Sequence, residues 1–457
     1  MSTKPNVIVL FSDQQRWDTV SCYGEPLGSQ FNLTPNLDRL AAEGMRFEHA
    51  FTCQPVCGPA RACLQTGKWA TEVGCYQNHT MPPAEEMRLA PAFNAAGYQT
   101  AYIGKWHLAS FGEHGGPDDF RTRPIPPERR GGYEYWLASD VLEFTSHGYD
   151  GHMFDGDGNK REFEPGRYRA DAVGDWAVEF IENRDRERPF FLMVSWIEPH
   201  HQNDTDRYEG PRGSKEQFAN FTTPGDLADT DGDWRETLAD YLGCCRSLDE
   251  NVGRIRAALE DQGIAEETVI LYTSDHGSHF RTRNAEYKRS CHDGCIRIPM
   301  IAWGGAFRGQ PPAGQLASLI DVPPTLLTAA GIDVPEAFRG WPLQQLVDGP
   351  ARQWRDEVFL QVSEDHIGRA IRTPRWTYEV VADSTEEGRS GRGAPAAETY
   401  REAHFYDNDA DPHQRNNLVA DPAYADVRDE LRRRLLARIE AAEGARPEIH
   451  IAQEPDG

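Results

Sequence analysis

The stretch Cys57-Gly58-Pro59-Ala60-Arg61 places a thiol, a helix-starting proline and a guanidinium within five positions. Proline costs nothing in the first turn of a helix, because its missing N–H would be unpaired there. The sequence therefore predicts a helix over 59–66, stopped by Gly67. Cys57 then stands at a helix N-terminus, where backbone N–H groups and the helix dipole favour negative charge. Arg61, about one turn on, returns to the same side as a fixed cation. That is the layout of a nucleophile beside an oxyanion cradle. The same residues also fit a plain buried cysteine at a helix start.

Four apolar runs elsewhere end in residues able to do acid, base or ligand chemistry. Asn6–Ser12 ends at Asp13-Gln14-Gln15, and Tyr98–Ile103 at Gly104-Lys105-Trp106-His107. Phe190–Ile197 ends at Glu198-Pro199-His200-His201, and Thr268–Thr273 at Ser274-Asp275-His276-Gly277. Near-continuous apolar runs predict strands buried on both faces of a parallel sheet. Ligands bind at the carboxyl ends of such strands. Helices are expected over 34–42, capped by Thr34, and over 87–96, 168–183 and 234–262. Cys244 and Cys245 are packing residues of the last. With extended pieces at 47–52 and 298–303, the expected fold is α/β, a large doubly wound mixed sheet flanked by helices.

Beyond about residue 340 the pattern changes. Antiparallel strands are expected over 357–362 and 377–381, a Gly/Ser/Glu-rich loop over 383–396, and a terminal helix over 424–442. The expected organisation is a catalytic domain over 1–340 and a smaller α+β domain with an antiparallel sheet over 341–457. The segment 110–167 is rich in Gly, Pro, Asp and aromatics and too long for a simple connection, so it reads as an insertion or lid.

The chain has 457 residues and a formal charge of -25, from 48 Lys+Arg against 73 Asp+Glu. That balance argues against nucleic acid and anionic membranes as main partners. An anionic substrate must instead be drawn in locally, by a metal and a few cations. Apolar runs fall short of membrane-spanning length, and Val7–Phe11 is too short for a secretion signal, so a cytoplasmic location is expected. The nine cysteines are an odd number in a long chain, which argues against a disulfide framework. Cys53, Cys57 and Cys63 with His79 lack the CxxC pair of a zinc site. His279, Arg281, Arg283, Asn284, Cys291 and His292 form a dense polar cluster, either pocket lining or a hydrogen-bonded loop.

Taken in order, these pieces resemble the type I, formylglycine-dependent sulfatases of the alkaline-phosphatase superfamily, a group that includes the related phosphonate monoester hydrolases. The resemblance runs through Cys57-Gly58-Pro59-Ala60-Arg61 with Leu64 and Thr66-Gly67, Asp13, Thr34-Pro35-Asn36-Leu37-Asp38-Arg39-Leu40, Gly104-Lys105-Trp106-His107 and Pro199-His200. It continues through Ser274-Asp275-His276-Gly277, Lys288, Ile296-Arg297-Ile298-Pro299, Asp321-Val322-Pro323-Pro324-Thr325, Tyr406-Asp407, Asp411-Pro412 and Asn417-Leu418. It covers nearly the whole chain and implies an alkaline-phosphatase-like sheet.

The resemblance also implies that Cys57 is converted to formylglycine (3-oxoalanine) by a formylglycine-generating enzyme. The hydrate attacks sulfur, leaves a covalent sulfate hemiester, and expels sulfate through its second hydroxyl. Asp13, Gln14, Asp275, His276 and the oxygen made from Cys57 would hold one divalent cation, Ca²⁺ or Mn²⁺, with Mg²⁺ a third option. Arg61 would support the nucleophile. Lys105 would hold the sulfate oxygens, and His107 would take the proton released with sulfate. Lys288 and His200, preferred to His201, would bind the ester and serve the leaving oxygen. Gln14 and His276 depart from the Asp and Asn that many relatives carry. A His ligand at 276 shifts the metal preference toward Mn²⁺, and the two departures resemble the choline-sulfatase and phosphonate monoester hydrolase branches; Asn78, as a substrate-binding residue, also resembles the hydrolase branch. The implied activity is hydrolysis of a small-molecule or saccharide sulfate monoester; the alternative is phosphonate monoester or phosphodiester hydrolysis with the same nucleophile. A homo-oligomer is compatible with the sequence.

Overall fold

The computed structural model describes residues 4–112, 114–347, 353–383 and 391–452. Its centre is an eleven-stranded mixed sheet. The strands are β1 (Asn6–Ser12), β2 (Met45–Phe51), β3 (Gln99–Lys105), β4 (Tyr135–Ser139), β5 (Ser146–His147), β6 (Asp150–Asp155), β7 (Lys160–Glu162), β8 (Phe190–Ser195), β9 (Thr268–Ser274), β10 (Met300–Trp303) and β11 (Ala313–Ser318). Their order is β11-β2-β10-β9-β1-β8-β3-β4-β6-β5, with β7 paired to β6. The middle of the sheet, β9-β1-β8-β3-β4, is parallel, and β10 runs against both of its neighbours.

The four strands read from apolar runs are the central four. All seven residues of β1 are buried, as are all of β8 and β9, because helices cover both faces. Two large apolar clusters result, one on each face. Register places Ser12 opposite Ser274 and Gly104 opposite Ser195. The carboxyl ends of β1, β3, β8 and β9 therefore finish side by side.

A second sheet of five strands lies in the C-terminal part: β12 (Val358–Val362), β13 (Gly368–Arg372), β14 (Trp376–Ala382), β15 (Thr399–Asp407) and β16 (Glu448–His450). The helix Ala425–Glu443 packs Leu431, Leu435 and Ile439 against it. Among the described residues, no helix is long and apolar enough to cross a membrane.

Several local expectations need correction. The helix at 87–96 is Leu89–Ala95, preceded by a 3₁₀ turn at Ala84–Glu86. Thr34 does not cap the helix Pro35–Glu43 with its side chain; Asp249 of the long helix Trp234–Asp261 accepts from the N–H groups of Asn36 and Leu37 instead. The helix at the thiol begins at Cys57 itself and ends at Thr66, with Gly67 left-handed at φ 69° as its cap. β13 and β15 were not legible as strands. Arg369 and Arg372 sit inside β13, buried and neutralised by Glu443 and Asp293, so the strand lacks an apolar pattern. The segment 110–167 carries β4 to β7 and extends the main sheet at one edge. Of the loop 383–396, positions 384–390 lie outside the described residues.

Candidate active site

Asp13 follows β1, Asp275 and His276 follow β9, Lys105 ends β3, and His200 lies five residues past β8. The Cys57–Thr66 helix points its N-terminus into the same place. All of these side chains are buried. Cys57 Sγ lies 3.3 Å from Asp13 Oδ1, 3.3 Å from His276 Nε2 and 2.8 Å from Lys288 Nζ. Lys105 Nζ is 2.8 Å from Asp13 Oδ2, and Arg61 Nη2 donates to the same oxygen at 2.9 Å. Arg61 Nη1 donates to the Lys105 carbonyl and to Ser195 Oγ, so the helix is tied to the ends of β3 and β8. Gly104 makes this approach possible. It has φ 118°, and a Cβ there would lie 1.9 Å from the Ser195 carbonyl oxygen.

The donor set fits a divalent cation. Ligand atoms of Asp13, Cys57, Asp275 and His276 all lie within 4.8 Å of one another. Two acceptors there, Gln14 Oε1 and Asp275 Oδ2, are buried with no hydrogen-bond partner, a costly arrangement unless something else completes them. His276 Nδ1 lies 2.9 Å from the Gly277 carbonyl, which requires N–H at that nitrogen and leaves Nε2 as the electron-pair donor. Gln14 sits at φ 68° and donates Nε2–H to Tyr208 Oη at 2.8 Å, which orients its free carbonyl oxygen. Carboxylates, an amide oxygen and one imidazole are ligands for Ca²⁺, Mg²⁺ or Mn²⁺.

The electrostatics agree. Burial and then the neighbouring Asp13 push the Asp275 carboxyl up to about 7. Against the burial that opposes it, Lys105, His200, Arg61 and Lys288 hold Asp13 well below the usual carboxylate range. Burial, with help from Asp13, pushes the Cys57 thiol up to about 12, so it is a poor thiolate nucleophile as it stands. Burial and Lys105 keep His107 neutral, and both of its ring nitrogens are buried without partners. Its lone pair is therefore unengaged, while burial and Lys105 oppose the cation that protonation would form. Burial, Lys105 and Lys288 likewise keep His200 neutral.

Cys57 lines a cavity of about 510 Å³, with Asp13, Asp275 and His276 beneath it and outside the lining. Lys105, His107, His200 and Lys288 line it, and His201 does not. His201 lies beside Asn203 and Asp206, at 3.3 and 3.4 Å. Asn78, expected to touch substrate, also lines the cavity, but its Oδ1 accepts from the Gly58 N–H at 2.9 Å and its own N–H donates to Glu364. It supports the start of the Cys57–Thr66 helix.

The sequence did not single out Glu143, Phe144, Tyr287, Arg289 or Glu364, which also line the cavity. Glu143 Oε2 lies 3.4 Å from His200 Nδ1, and Arg289 pairs with Glu364 at 2.6 Å. Glu143 belongs to the segment read as an insertion or lid, and Glu364 lies just past β12. Neither stands beside a recognisable motif. Of the polar cluster after Asp275, His279 binds the Lys288 carbonyl and Asn284 the Lys288 and Arg289 carbonyls, so these two shape the loop from behind.

Fold and site together define a hydrolase of the alkaline-phosphatase superfamily. The family model described as Sulfatase matches residues 5–332, and the chain belongs to that family. A second model, described as N-sulphoglucosamine sulphohydrolase, C-terminal, matches residues 285–382. The ulvan-active sulfatase of Formosa agariphila is 30% identical over 444 residues, covering 94% of this chain and 80% of that protein. The N-acetylglucosamine-6-O-sulfatase of Bacteroides thetaiotaomicron is 26% identical over 517 residues, covering 94% and 85%. Among solved structures, one in complex with its substrate D-glucosamine-2-N,6-O-disulfate has a TM-score of 0.74 at 24% identity, covering 97% and 99% of the two chains. The phosphonate monoester hydrolase of Agrobacterium radiobacter has a TM-score of 0.71 at 23% identity, covering 95% of each. These two likenesses establish the fold.

Proposed function

We propose that this chain hydrolyses a sulfate monoester on a saccharide, with formylglycine made from Cys57 as nucleophile and one divalent cation held by Asp13, Gln14, Asp275 and His276. The observation that carries this is the position of Cys57 Sγ, between two metal-ligand residues and Lys288 on the floor of the cavity. The saccharide is taken from the substrates named for similar proteins. When present, the hydrated aldehyde supplies two hydroxyls on one carbon, and the cation lowers the pKa of one of them.

The chain's own residues do the rest. Lys105 and Lys288 place two ammonium groups where sulfate oxygens bind; burial works against the charge of Lys288, and the ionised Asp13 carboxylate nearby favours it. Arg61 fixes Asp13 from behind. His107, neutral and unpartnered, accepts a proton as sulfate departs. His200 and Lys288, 3.2 Å apart, face the leaving oxygen from the cavity side.

Two measurements test this reading. Protein co-expressed with a formylglycine-generating enzyme should carry the aldehyde at Cys57 by mass spectrometry of the tryptic peptide. An active preparation with wholly unmodified thiol would end the formylglycine reading. The same protein, with its metal content measured, should hydrolyse glucosamine 6-sulfate or an aryl sulfate faster than matched phosphonate monoesters and phosphodiesters. A faster phosphoryl reaction would move the assignment to the hydrolase branch.

A further inference from the structure

A second group of buried ligand-type side chains lies where the loop carrying Lys288 meets the second sheet. Ligand atoms of Cys291, Glu379 and His404 lie within 4.8 Å of one another, and the Cys291 and Glu379 side chains are fully buried. Glu379 of β14 and His404 of β15 are direct cross-strand partners, so the sheet register fixes their spacing. His404 Nδ1 is 2.7 Å from Glu379 Oε2, and His366 Nε2 is 3.0 Å from Glu379 Oε1. The His292 ring stands 5.3 Å from that of His404. Among the described residues, Glu379 has no Lys or Arg within ion-pair distance. A buried carboxylate answered only by imidazoles, with a buried thiol beside it, is a donor set that a borderline metal ion matches better than a hard one.

We propose that Cys291, Glu379 and His404 form a second metal site, of the zinc class. Tetrahedral zinc bonds of about 2.0–2.3 Å require donors roughly 3.3–3.8 Å apart, so His404 and Glu379, now hydrogen-bonded at 2.7 Å, must open slightly, while Cys291 lies within 4.8 Å of both. Binding releases the Cys291 thiol proton and any proton carried by the ligating imidazoles, and the metal takes over the neutralisation of Glu379. The site fastens the Lys288 loop, through Cys291 three positions later, to a sheet that contributes no catalytic side chain of its own. It is independent of the metal group at Asp13 and does not depend on the choice between sulfate and phosphonate.

The test uses the full chain with Cys57→Ser, which removes the other thiol near a metal group. Titration with Co²⁺ should give a thiolate-to-cobalt charge-transfer absorption with the visible bands of a tetrahedral ion, both absent from Cys57→Ser/Cys291→Ser. Elemental analysis should find one more equivalent of Zn²⁺ in the first variant than in the second. Zn²⁺ should raise Tm further in Cys57→Ser than in Cys57→Ser/His404→Gln, which serves as the comparison if the Cys291 variant fails to fold. Absence of the charge-transfer band in Cys57→Ser, or its persistence without Cys291, overturns the proposal.

Discussion

Two buried arginines show how differently the same side chain is used within one fold. Arg16 spends every guanidinium nitrogen on Asp18, Asp226 and the Ser278 carbonyl, at 2.5–2.9 Å for the closest contacts. Arg61 holds Asp13, the Lys105 carbonyl and Ser195, but its Nε is buried without a partner, 3.7 Å from Asp275 Oδ2, which also lacks one. Around Arg16, charges are matched and acceptors filled. Around Arg61, two carboxylates crowd together, and three polar atoms (Arg61 Nε, Gln14 Oε1 and Asp275 Oδ2) are unsatisfied. Unfilled bonding capacity in a buried place marks where a ligand completes the structure.

Substitutions at the two places should therefore separate activity from stability. Cys57→Ala should lower kcat/KM by about 10⁴-fold or more with little change in Tm, since no folded-state bond depends strongly on the thiol. Asp275→Asn should cost roughly 10²- to 10³-fold in kcat/KM, the scale of losing one group that stabilises developing charge. The same variant, stripped of metal, should melt higher than the wild type, because the crowded carboxylate pair is relieved. A lower melting point would show that Asp275 is a structural residue like Asp18. Arg16→Met should do the reverse, costing about 3–5 kcal/mol in urea unfolding by leaving Asp18 and Asp226 without their cation, while the activity of each folded molecule changes far less.

Smaller effects sharpen the contrast further. Asp275 has a folded-state pKa of about 7 against a usual 3.8, so the folded metal-free protein keeps a proton that the unfolded chain releases. Its contribution to stability should fall as pH rises from about 4 through 7 and then level off, as followed by chemical unfolding. Saturating Mn²⁺ should abolish that fall, because the metal replaces the proton. Tyr208→Phe removes the acceptor that orients Gln14 and should weaken metal binding by about 10-fold, measured by competition with a chelator.

The sequence made much of the candidate site legible because these residues sit just past four strands that read as apolar runs, while the resemblance to a family supplied their expected roles. Asp13, Lys105, His200 and Asp275 were each placed by that rule. The cavity walls were less legible for a physical reason. Glu143 comes from a segment of short edge strands with no clear period, and Glu364 from a turn after β12. Arg369 and Arg372 hid β13, because a buried guanidinium with a distant carboxylate partner looks like surface in a sequence. Asn78 was found, but its work on the Gly58 N–H depends on a contact that spacing cannot reveal.

The bond from Asn78 to Glu364 joins positions 286 residues apart. At about 5–20 residues per second, the ribosome needs roughly a quarter of a minute to a minute to make that interval. Until then Asn78, which holds the start of the Cys57–Thr66 helix through the Gly58 N–H, lacks one of its own anchors, and Lys288 arrives only shortly before it. The sulfur at position 57 therefore spends most of its chain's synthesis without the groups that later enclose it. Any chemistry that must reach it from outside has a clock set by the length of the chain that follows.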